Sequence, residues 1–85
     1  MVRGRVQGVY FRASAAEQAL ALSLRGTARN QRDGTVLVLA AGDPERLERF
    51  VAWLHRGPPM AAVEGVAVEA IDPASVEWPD GFLPR

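Results

Sequence analysis

Gly4-Arg5-Val6-Gln7-Gly8-Val9-Tyr10-Phe11-Arg12 changes its periodicity halfway along. Leading into it, Val2, Gly4 and Val6 alternate with Arg3, Arg5 and Gln7, which is the two-residue period of a strand. Beyond it, the alanine-rich run from Ala13 to Leu22 reads as a helix. Gln7, Gly8 and Val9 therefore form a strand-to-helix corner with a glycine in its middle. Such a corner turns backbone N–H groups inward at a helix N-terminus, where free donors and the helix dipole favour an anion. Arg12 falls in the first turn of that helix, where a cation is mildly unfavourable. A bound phosphate would give the arginine a purpose.

Outward from the corner, Ser14, Glu17, Gln18 and Arg25 lie toward one side of the first helix, and Ala15, Ala16, Ala19, Leu20 and Leu22 toward the other. Leu24 to Asn30 alternates as a short strand, and Gln31-Arg32-Asp33-Gly34 supplies hairpin turn chemistry. Thr35 to Ala41 is the strongest strand, with Val36, Val38 and Ala40 on one face and Leu37 and Leu39 on the other. That pattern predicts a central strand half covered on its second face, by a partner if oligomers form. Asp43 as N-cap, Pro44 at the first helical position, Gly57 as the stop and Pro58-Pro59 beyond it punctuate a second helix. Leu47, Phe50, Val51 and Leu54 form its buried stripe. Val63 to Ile71 returns as a strand, and residues 72–85 read as a largely irregular tail whose Phe82 and Leu83 clip onto the sheet edge.

The order strand, helix, strand, strand, helix, strand makes an α+β two-layer sandwich, βαββαβ, with a mainly antiparallel sheet and both helices on one face. Eighty-five residues suffice for one such domain, 1–85. Zero formal net charge gives no argument for nucleic acid or anionic membrane, and neither is expected as a partner. The chain has no cysteine, which removes disulfides, thiolate metal sites and cysteine nucleophiles. All ten cations are arginine, so a lysine Schiff base or a Walker lysine is also excluded. No apolar run is long enough to span a bilayer, and a cytoplasmic location is the expectation.

Catalytic inventories are otherwise thin. His55, the sole histidine, sits near the end of the second helix, where it serves the terminal carbonyls or faces solvent. Trp53 lies beside Arg49 and Arg56, which suggests stacking on the helix surface. No metal-ligand spacing occurs, and no cofactor is implied. Arg12 and Asn30 remain. Alone, each has an ordinary explanation: asparagine is common where strands enter turns, and an arginine is at home on a solvated helix face. Together they fall near one end of the same sheet.

Those residues carry a family resemblance. Gly4 to Arg12 resembles the acylphosphatase signature G-x-V-Q-G-V-x-F-R, and Gly26 to Val36 is similar to the second signature, G-x-x-x-N-x-x-D-G-x-V. The resemblance runs from Val2 to about Asp72, with Thr27 at a position often aromatic and few residues before the first motif. It implies a ferredoxin-like sandwich and a hydrolase that splits acyl phosphates into carboxylate and inorganic phosphate without a metal. It places the catalytic pair at Arg12 and Asn30, with phosphate bound by Gln7, Gly8, Val9, Tyr10, Phe11 and Arg12, and with Asn30 orienting the attacking water. The expected partners are a small acyl phosphate and inorganic phosphate as product and competitor, with the protein a monomer. The alternative is a non-catalytic or regulatory module that binds phosphate or carbamoyl phosphate on the same fold. A third reading, an RNA-binding sandwich, requires exposed aromatics on central strands, and Val2–Gln7 and Val36–Ala40 carry none.

Overall fold

The computed structural model describes residues 1–7 and 10–84. Its elements are β1 (Val2–Arg5), α1 (Phe11–Ala21), β2 (Arg25–Asn30), β3 (Val36–Ala41), α2 (Pro44–Arg56) and β4 (Ala62–Val66), followed by a single 3-10 turn (Pro73–Ser75) and β5 (Phe82–Pro84). The strands form one sheet in the order β4-β1-β3-β2-β5, antiparallel except for the β2–β5 pair. Both helices pack on one face, giving the expected ferredoxin-like α+β sandwich.

β3 is central, as its composition predicts. It pairs with β2 without interruption from Arg25↔Ala41 to Asn30↔Val36. Val36 is fully buried, and Val38 and Ala40 pack against the same core as Phe11, Phe50, Leu24, Val2 and Val6. Each large side chain so buried contributes roughly 1.5–3 kcal/mol. Small alanines, Ala15, Ala16 and Ala19, form the inner side of α1 and let it lie close to the sheet. Leu20 does not join them and is 54% exposed.

The open face of the sheet is covered from within. Leu37 and Leu39, with Gly26, Thr27 and Arg29, line a cavity of about 170 Å³ whose other wall is Val76, Glu77, Trp78 and Pro79. The tail thus crosses the face that a partner would cover if oligomers formed. Its indole is fixed by the Trp78 Nε1 donation to the Pro73 carbonyl at 2.9 Å. Phe82 then enters the core edge-on to Phe50, centroids 5.7 Å apart, so the tail ends as a real strand.

β4 is shorter than its sequence pattern. It ends at Val66 rather than Ile71, and Val68 is 67% exposed. β4 is the edge strand of the sheet, and among the described residues its pairing with β1 runs to Val2↔Val66, followed by one hydrogen-bonded pair at Met1 and Ala67. A register shift between Arg3 and Gly4 leaves Glu64 as the extra residue of a bulge. Gly4, at φ +126°, sits there because a Cβ would run into the Ala62 carbonyl.

Candidate functional site

α1 begins without the usual punctuation. Its N-cap residue is Tyr10, held left-handed at φ 59° and ψ 22°, with no side-chain cap and no acid in the first turn. A non-glycine residue in that region carries strain of order 1–3 kcal/mol, which is characteristic of working sites. The other helix shows what the chain does when a helix end has only to be stable. There the Asp43 side chain accepts from the Arg46 N–H, Pro44 and Glu45 occupy the first turn, and His55 and Arg56 the last. No side-chain cap serves α1's first turn, and Arg12 lies in that turn, half-buried.

The expected phosphate-binding residues divide by role. Phe11 is 1% exposed with its ring in the core, so only its backbone N–H can face a ligand. Tyr10 is 84% exposed. Gly8 and Val9 lie outside the described residues. The Gln7 side chain turns away from the helix end and donates through Nε2 to the carbonyls of Gln31 at 2.9 Å and Thr35 at 3.0 Å.

That pair of bonds joins the corner to Asn30. β1 and β2 are both antiparallel to β3, so both run toward the same end of the sheet. Asn30 is the last residue of β2, and Gln31 follows it at the mouth of the hairpin. The hairpin is itself clasped: Gln31 Nε2 donates to Thr35 Oγ1 at 2.8 Å, and Thr35 donates to Asp33 Oδ1 from Oγ1 at 2.6 Å and from its N–H at 3.0 Å. The two donations from Thr35, the hydroxyl's first, hold the Asp33 carboxyl below its ordinary pKa. Thr35 is buried by these contacts. Asn30 and Asp33 frame an open depression of about 510 Å³ with Arg29, Gln31 and Arg32.

Asn30 has one unusual property. Its Oδ1 is buried and meets no hydrogen-bond donor among the described residues. Buried carbonyl oxygens are nearly always paired, and leaving one unpaired costs about 1–3 kcal/mol. The oxygen is an acceptor without a donor among the described residues.

Two sequence expectations about other residues change. Trp53 does not stack on arginine at the surface. It lies parallel to Phe50 with centroids 6.4 Å apart and tilted against Phe11 at 5.8 Å, at the edge of the core. The Gln7–Gln31–Thr35–Asp33 clasp went unread, although the Asp-Gly turn and the Gln7 of the corner were its visible halves. Among the described residues no group of three or more His, Asp or Glu side chains is placed to hold a metal ion. None of the described helices is long and apolar enough to cross a membrane.

Comparison with known proteins agrees with this geometry. The family model described as acylphosphatase matches residues 1–83. An acylphosphatase of Halorhodospira halophila is 56% identical over 81 residues, covering 94% of this chain and 88% of its own. The crystal structure of acylphosphatase from Bacillus subtilis superposes with a TM-score of 0.84 at 30% identity, covering 99% of this chain and 91% of its own. T. kodakarensis HypF contains a similar unit, with a TM-score of 0.83 and 28% identity over 99% of this chain and 11% of that one. With a family model spanning nearly its whole length and a relative this similar, the chain belongs to the acylphosphatase family and is a hydrolase of that kind.

Proposed function

We propose that the protein hydrolyses the carboxyl–phosphate bond of small acyl phosphates at the N-terminus of α1, with Arg12 and the Gln7–Arg12 backbone holding the phosphoryl group and Asn30 orienting water. The observation that carries this reading is the unpartnered, buried Asn30 Oδ1 at the sheet end where α1 starts uncapped. In the step envisaged, the water oxygen bonds to phosphorus as the phosphorus–acyl oxygen bond breaks. The electron pair leaves on the carboxylate, and the water proton passes to a phosphoryl oxygen. A carboxylate is a good leaving group, so no strong general acid is required. The task left to the protein is to hold charge on the equatorial oxygens with fixed donors, a role suited to helix N–H groups and a guanidinium that can grip two oxygens. Gln7 acts through the hairpin, keeping Asn30 at a set distance from the cradle.

Hydrolysis of acetyl phosphate, followed with EDTA and with inorganic phosphate as competitor, tests the reading. Turnover should survive EDTA and be inhibited competitively by phosphate. Arg12→Ala should abolish both turnover and phosphate inhibition, whereas Asn30→Ala should lower kcat by at least about 10²-fold, the cost of one lost transition-state contact, and leave phosphate inhibition in place. Wild-type-like turnover in either variant sinks the residue assignment. A similar unit makes up 11% of the longer HypF chain, and the second reading is a phosphate-binding module without turnover. Phosphate binding with no hydrolysis would select it.

A further inference from the structure

We infer that the cavity between the open face of the sheet and the tail is a ligand site, and that it takes a small aromatic carboxamide. This inference does not depend on the phosphate reading. The floor of the cavity is Leu37 and Leu39 of β3 with Thr27 of β2, and its roof is Val76, Trp78 and Pro79. At about 170 Å³ it exceeds the ~150 Å³ at which an apolar cavity takes up benzene.

The roof is formed before any ligand arrives, because the tail is held at both ends. On one side Asp72 caps the 3-10 turn, its Oδ1 accepting from the Ala74 N–H at 3.0 Å and its carbonyl from the Ser75 hydroxyl at 2.6 Å. The Trp78 indole is tied back to the same turn through the Pro73 carbonyl. On the other side the Gly26 N–H donates to the Gly81 carbonyl at 3.1 Å, and Phe82 is buried. A preformed wall spares the ordering cost that usually weakens small ligands. Leu37, Leu39, Val76, Trp78 and Pro79 are all only half-buried, so apolar surface is still left for a flat ring to cover.

The rim selects the head group. Arg29 and Glu77 both line the cavity and are exposed. Among the described residues neither makes an ion pair or hydrogen bond through its side chain. A guanidinium only donates and a carboxylate only accepts. An anionic head would suit Arg29 and be repelled by Glu77, and a cationic head would meet the reverse. A carboxamide serves both, its oxygen accepting from Arg29 and its NH₂ donating to Glu77, and it brings no net charge to desolvate.

Titration of benzamide into isotope-labelled protein, followed by backbone and indole N–H NMR shifts, tests the site. The Trp78 indole and the Leu37 and Leu39 amides should shift saturably, with a Kd of order 1 mM, the strength of a fragment this small. The Trp53 indole, in the groove between the helices, should stay in place. Benzoate and benzylamine should bind more weakly than benzamide, and Glu77→Gln should bring benzoate within a few-fold of it. Thr27→Phe fills the cavity from a half-buried strand position that favours aromatics, and should weaken benzamide about 10-fold or more; Thr27→Ser should bind as wild type does. Circular dichroism should show each variant folded. No saturable shift in the wild type, a shift at Trp53 in place of Trp78, or undiminished binding in folded Thr27→Phe overturns the site. Wild-type binding of benzoate or benzylamine as tight as that of benzamide overturns the carboxamide assignment.

Discussion

Gln7 illustrates how a side chain can serve chemistry it does not touch. It supplies donors to two carbonyls, Gln31 and Thr35, across the gap where β1 and β3 share only the Val2↔Val36 pairing. Gln7→Ala would remove one of two donors from each oxygen, since Thr35 O still accepts from the Gln31 N–H and Gln31 O from the Gly34 N–H, at a stability cost of about 0.5–1.5 kcal/mol for each bond lost. Because the loss acts through Asn30, kcat should drop while the inhibition constant for phosphate stays within a few-fold of wild type. Steady-state kinetics with phosphate as inhibitor, alongside a urea titration, measures both. Asp33 makes a separate prediction at this scale. Its pKa is depressed in the fold by the Thr35 hydroxyl and N–H, so the unfolded chain takes up its proton first as pH falls. The stabilisation is complete above the ordinary aspartate range and is lost as pH falls through the lower, folded pKa. The difference in urea midpoint between wild type and Asp33→Asn should be constant near neutrality and shrink below about pH 4. A difference that grows on acidification would refute the clasp.

The two helices are the instructive elements. α2 could be read almost in full from Asp43, Pro44, Gly57 and the prolines after it, because capping chemistry is local and each residue acts within one turn. α1 was legible for the opposite reason. Its start lacks a side-chain cap and carries Arg12, a pattern that the proposed anion site would explain. The contrast predicts a trade. Ala13→Glu places an acid in the first turn at an exposed position and should raise stability by about 0.3–1 kcal/mol through the dipole. The same charge should weaken phosphate inhibition several-fold, a comparison made by thermal melting and competition kinetics on one sample. β4 was less legible. Val66, Val68 and Ala70 alternate convincingly, yet the alternation does not say which neighbour a strand has, and the pairing with β1 reaches only Val2↔Val66.

At the scale of the whole molecule, the tail matters more than its composition suggests. It covers Leu37 and Leu39 with Val76 and Trp78, then buries Phe82 against Phe50 and pairs with β2. Phe82→Ala should therefore cost about 3–5 kcal/mol, the range for a buried phenylalanine. A domain of this size has a total stability of roughly 4–13 kcal/mol at 0.05–0.15 kcal/mol per residue, so the variant should unfold at far lower urea. A loss under 1 kcal/mol would mean that the tail is not part of the core. By itself the sequence determined the strand–helix order, the helix ends and the central place of β3, and it singled out Arg12 and Asn30 as the residues to test, because periodicity, caps and motif spacing are local properties of the chain. Only the tertiary structure decided that Gln7 bridges to the hairpin, that Trp53 turns inward and that the tail covers the open face. It also decided that a groove lies between the start of α1 and the end of α2. Each of these depends on which segments meet across the sheet, and the corner from Gly4 to Arg12 carries no record of its neighbours.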